Sequence, residues 1–99
     1  MIQMQVVDAQ GDAEPGVDVA ITLVRTGTPL PYGDSGLEHG LFTIVTDHDT
    51  NKIREGDGDR IHVTGAKDTR SFSAEFRITV DECRCHVHKA SGPDSVVIR

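Results

Sequence analysis

From Phe72 to Val80 the chain places an apolar residue at every second position: Phe72, Ala74, Phe76, Ile78 and Val80. Period two matches the pleat of a β-strand, whose successive side chains point to opposite faces. Nine residues of such alternation demand a long strand with one buried face, and that face needs a second layer to cover it. The same rhythm recurs at Val17, Val19, Ile21 and Leu23 and at Ile61 and Val63, while Met4, Val6 and Val7 and the β-branched and aromatic run Leu41 to Thr46 read as further strands. Between these runs stand turn clusters: Asp8 to Asp12, Pro15-Gly16, Asp47 to Asn51, Glu55 to Asp59, Gly65 to Arg70 and Ser91 to Asp94. A short strand is expected at 51–54, one continuing from Cys83 through Val87, and a last one at 95–99. No segment carries apolar residues at helical spacing. The expectation is an all-β fold, a two-sheet antiparallel β-sandwich of about seven strands, Ig-like in architecture.

Length bounds the organisation. At 99 residues, one domain over 1–99 is expected. Aromatic content is 4% and Trp is absent, so the core must come from Val, Ile, Leu and the three Phe. The net charge of −6 argues against nucleic-acid binding, because neutralising phosphates needs a basic face. No apolar run approaches the roughly 20 residues of a membrane span. Met1 to Gln5 has no basic segment leading into an apolar one, so no signal peptide is expected.

The run Cys83-Arg84-Cys85-His86-Val87-His88 invites a metal reading. On a continuous strand it divides into two faces. Cys83, Cys85 and Val87 point inward, and Arg84, His86 and His88 outward, so the four ligand types do not converge on one tetrahedral ion. Two cysteines one residue apart on an extended strand also span a poor distance for a mutual disulfide. Buried free thiols are expected. His86 and His88, sharing a face, offer two ligands, and His62 is the candidate third because Ile61 and Val63 claim the inner face of its strand.

A second candidate is calcium, through Asp47, Asp49 and Asn51 with Asp57 and Asp59. Asp-x-Asp-x-Asn begins like an EF-hand loop. Position six is then Lys52 rather than Gly, and position twelve is Gly58 rather than the bidentate Glu. Solvated turn residues are the competing reading.

Thr26 to Gly40 is long and rich in Gly and Pro, with at most a short edge strand. Leu30, Tyr32 and Leu37 give it apolar character, with Pro29 and Pro31 stiffening it. It reads either as a binding loop or as a cover over one end of the sandwich. The serines lack a Gly-x-Ser-x-Gly context, the adjacent carboxylates Asp81 and Glu82 point apart on a strand, and no Gly-rich loop leads into a helix. No catalytic residue and no cofactor is expected.

Val6-Val7-Asp8-Ala9-Gln10-Gly11 followed by Glu14-Pro15-Gly16-Val17-Asp18-Val19 resembles the opening of carboxypeptidase regulatory-like domains, which are transthyretin-like sandwiches. Cys85-His86-Val87, Ser91-Gly92-Pro93 and Val96-Val97-Ile98 resemble the last hairpin of related bacterial domains. The resemblance implies a non-enzymatic accessory, adhesive or structural module. The hydroxyisourate-hydrolysing relatives of transthyretin carry an N-terminal catalytic His and a Tyr-Arg-Gly-Ser end. Here the first His is His39 and the chain closes Val97-Ile98-Arg99, so that activity is not carried over. The expected function is a binding or structural module whose partner is another protein or a second copy, paired through exposed strand edges. The alternatives are a small metal-binding protein built on His86, His88 and a third ligand, and an oligomeric enzyme with its site between chains.

Overall fold

The structure is a computed structural model that describes residues 2–30 and 40–99. Eight strands are found among the described residues: β1 (Ile2–Val7), β2 (Asp18–Leu23), β3 (Thr28–Leu30), β4 (Leu41–Val45), β5 (Asp59–Lys67), β6 (Arg70–Val80), β7 (Val87–Ser91) and β8 (Ser95–Val97). They form two sheets, one of three strands in the order β4-β1-β8 and one of five in the order β3-β2-β5-β6-β7. Pairing is antiparallel except between β1 and β8, which run parallel. The all-β, two-sheet expectation holds. Among the described residues, no helix is long and apolar enough to cross a membrane.

Alternation places the core between the sheets. Met4 and Val6 from β1, Phe42 and Ile44 from β4, Ile61 and Val63 from β5, and Phe76 and Ile78 from β6 are all buried there. Phe72, Ala74 and Val80 extend the same face of β6 as half-buried packing. After β8, Ile98 donates to the Val7 carbonyl, and Arg99 exchanges backbone hydrogen bonds with Ser71 of β6. The chain end thus ties one sheet to the other. Glu14, ahead of β2, ion-pairs with Lys67 and Arg70 at the tip of the β5–β6 hairpin, fastening the same end.

Two local expectations are corrected. Residues 51–54 do not form a strand. Asp47–Lys52 is a 3-10 helix, opened by Thr46, whose hydroxyl accepts from His48 N. Asp49 folds back to accept from Thr46 N at 3.1 Å and from Lys52 Nζ at 3.0 Å. The polar run Asp47-His48-Asp49-Thr50, expected as a turn, therefore supplies the caps of a helical turn that continues to Lys52, into the expected strand. The second correction concerns Cys83 to His86. They form a turn between β6 and β7, and the strand begins only at Val87.

Candidate functional site

Four of the chain's seven arginines line one open cleft of about 250 Å³: Arg25, Arg54, Arg60 and Arg77, together with Val24 and Asp59. They come from four places in the sequence. Strand pairing assembles them, because β5 lies between β2 and β6, with Leu23 opposite Ile61 and Asp59 opposite Ile78. Arg60 then falls directly opposite Arg77. An antiparallel pair of like charges is unfavourable by a few tenths of a kcal/mol to about 1 kcal/mol.

Asp59 organises the floor of the cleft. It is 2% exposed. Its Oδ1 accepts from Arg25 Nε at 2.7 Å, and its Oδ2 accepts from Arg25 NH2 at 3.1 Å and from the Arg54 backbone N–H at 2.7 Å. The Arg25 guanidinium holds the Asp59 carboxyl below the usual carboxylate range against the opposing effect of burial, and Asp59 in turn raises Arg25. The preceding turn is fixed by the other arginines. Arg54 donates to the Gly58 carbonyl from Nε and NH2, and Arg77 NH1 donates to the Asp57 carbonyl. Gly58 adopts φ +75° and lies so close to β6 that a Cβ would overlap the Ile78 carbonyl. Only glycine permits that approach.

The charge count of the cleft is therefore uneven. Asp59 neutralises Arg25. Arg54 and Arg77 spend hydrogen bonds on neutral carbonyls, and the Arg60 guanidinium makes no hydrogen bond or ion pair with the other described residues. Among the described residues, three positive charges of the cleft are left without a carboxylate partner, in a chain of net charge −6. Such a grouping is suited to a carboxylate or phosphate oxyanion, which planar guanidinium groups bind in bidentate fashion. Sequence reasoning missed it, because an acidic total says nothing about local sign. The one available signal was Asp59-Arg60 entering a strand whose antiparallel partner carries Arg77.

The turn at Cys83 forms the second organised feature. A disulfide joins Cys83 and Cys85, and both residues are exposed, so the expected buried thiols are corrected. The expectation assumed an extended backbone. Arg84 instead takes φ +57°, which turns its two neighbours toward one another with 5.3 Å between their Cα atoms. Asp81 Oδ1 accepts from Cys85 N at 2.7 Å and from His86 N at 3.2 Å. Those N–H groups, Cys85 first, hold the Asp81 carboxyl below its usual value. Arg84 reaches back to the Thr50 and Ile53 carbonyls at 2.7 and 3.0 Å and to Glu55 at 3.0 Å. Asp47 accepts from Val87 N and lies 3.2 Å from His86 Nδ1. The turn is thereby pinned to the 3-10 helix.

The expected metal sites are not brought together. His62 sits on the outer face of β5 beside Glu75, His86 turns to Asp47 ahead of β7, and His88 lies within β7. His86 and His88 do not share one strand face, because His86 precedes the strand. Of the calcium candidates, Asp47 serves the turn, Asp49 the helix cap and Asp59 the arginines, while Asn51 and Asp57 are exposed. Among the described residues, the three metal-type donors found within 4.8 Å of one another are Asp81, Cys83 and Cys85. Leu30 of the expected binding loop is buried at the end of β3, and Tyr32 and Leu37 lie outside the described residues.

Comparison with known proteins finds no matching family model, no matching curated protein and no matching solved structure.

Proposed function

We propose that this chain is a non-enzymatic β-sandwich binding module that holds an oxyanion, a carboxylate or phosphate group carried by its partner, in the cleft between Arg25, Arg54, Arg60 and Arg77. The observation that carries this reading is the Arg60–Arg77 cross-strand pair in a cleft whose lining, among the described residues, holds a single carboxylate. Like charges face each other at some cost to the fold, and a bound anion turns that cost into binding energy. The volume, about 250 Å³, suits an anionic group better than a whole drug-sized ligand, whose pockets begin near 300 Å³. The likeness of the opening turns to carboxypeptidase regulatory-like domains supports the accessory role.

The test is thermal melting in phosphate or sulfate against chloride at matched ionic strength. A ligand that binds only the folded state raises the melting temperature with the logarithm of its concentration. Phosphate is expected to stabilise the wild-type chain more than chloride does, and Arg60→Gln to remove most of that difference. Equal melting in phosphate and chloride would overturn the reading.

A further inference from the structure

The Asp81–Cys85 turn holds a different chemistry from the arginine cleft and does not depend on it. We propose that this turn, once its disulfide is reduced, is a binding site for one zinc-class divalent cation, held by the Cys83 and Cys85 thiolates and the Asp81 carboxylate with the fourth position open to water.

Three observations support it. One donor atom from each of the three residues already lies within a 4.8 Å span. Cys83 Sγ stands 3.4 Å from Asp81 Oδ1. A tetrahedral ion with Zn–O near 2.0 Å and Zn–S near 2.3 Å sets an O···S edge of about 3.5 Å, so this edge is in place. The donors are also exposed, on a turn whose frame does not rely on sulfur. Arg84 grips the Thr50 and Ile53 carbonyls, and Asp47 holds Val87. Asp81 Oδ1 is oriented by two N–H groups, as ligating carboxylates commonly are, while its second oxygen accepts no hydrogen bond among the described residues.

The oxidised and metal-bound states exclude each other. Two thiolates on one tetrahedral ion stand about 3.8 Å apart, far beyond a bonded S–S pair. The balance is complete with a dithiol, or with a phosphine that takes an oxygen from water to become the phosphine oxide while the water's two protons go to the two sulfurs. A dithiol gives up two electrons and two protons, becomes a disulfide itself, and leaves Cys83 and Cys85 as thiols. The divalent cation then displaces two protons to form two metal–thiolate bonds. The site is thus gated by redox state.

The experiment compares the oxidised chain with the chain reduced by a phosphine and freed of reductant under nitrogen. Each is titrated with Zn²⁺ against a chromophoric chelator, and with Co²⁺ to read the near-ultraviolet sulfur-to-metal charge-transfer band. The reduced chain is expected to take one equivalent, with the charge-transfer band, at least about 100-fold more tightly than the oxidised chain. Asp81→Asn should weaken that binding about 10-fold or more, a loss comparable to removing a supporting group at a metal site. The double variant Cys83→Ser with Cys85→Ser should lose it. If that variant fails to fold, the wild-type comparison decides alone. Equal zinc affinity in the two redox states, or a disulfide that the phosphine leaves intact in the folded chain, would overturn the proposal.

Discussion

Arg60 of β5 stands directly opposite Arg77 of β6, like charge against like charge across an antiparallel pair. The Arg77 side chain is steadied by the Asp57 carbonyl, while the Arg60 guanidinium has no partner among the other described residues. A fold that keeps such a pair retains a local electrostatic cost. Replacing Arg60 by Gln is therefore expected to leave the melting temperature unchanged or slightly raised in low-salt buffer. The gain should shrink as salt screens the repulsion. A clear loss of stability on substitution would show that Arg60 serves the fold.

Asp59 carries the opposite expectation. Its carboxylate satisfies Arg25 and the Arg54 backbone N–H from a buried position. Asp59→Ala should lower stability by about 2 kcal/mol, chiefly because the donors lose their acceptor. Urea denaturation measures this as a lower midpoint at an unchanged slope.

The same residue sets a pH dependence. Its folded-state pKa lies below the unfolded value of about 3.9, so its contribution is fully present above that value and is lost as pH falls through the lower folded one. The stability gap between wild type and Asp59→Asn should be constant from about pH 5 to 7 and close below about pH 4. Glu14, Asp47 and Asp81 are also held low by hydrogen-bond donors, but they contribute equally to both chains and cancel in the difference.

Gly58 tests the geometry of the cleft. Its backbone is left-handed, and a Cβ would run into the Ile78 carbonyl. Gly58→Ala is expected to cost about 3 kcal/mol, combining left-handed strain with the overlap. Gly56 makes the control, since it shares a positive φ but has open space around the added carbon. Gly56→Ala should cost visibly less in the same thermal melt.

Arg84 tests whether the disulfide turn is held from outside. Removing its guanidinium in Arg84→Ala severs the links to Thr50, Ile53 and Glu55. Amide hydrogen exchange at Cys85, His86 and Val87 should quicken, while β5 and β6 keep their protection, because loops open locally without unfolding the core. Uniform acceleration across the molecule would indicate that the turn is part of the core's own stability.

The strands and their buried faces follow from local patterning alone. Phe76 and Ile78, Ile61 and Val63, and Ile21 and Leu23 are inward in the structure because alternation is a local property, decided within each strand. The turns at Asp8, Pro15 and Glu55 were legible for the same reason. Where local polar groups had two uses, sequence reading failed. Asp47 to Lys52 looked like a turn before a strand and became a capped 3-10 helix, because Thr46 and Asp49 found backbone donors within reach. The Cys83-Arg84-Cys85 run looked like a strand until Arg84, drawn to carbonyls 31 and 34 residues away, accepted a left-handed backbone and let the sulfurs meet. The arginine cleft was the least legible feature. Arg25, Arg54, Arg60 and Arg77 share no motif, and only the register of β5 against β2 and β6 puts them round one space. Tertiary structure decided that site because register is fixed by the burial of the inner faces. The outer-face charges are carried along with it, two residues at a time.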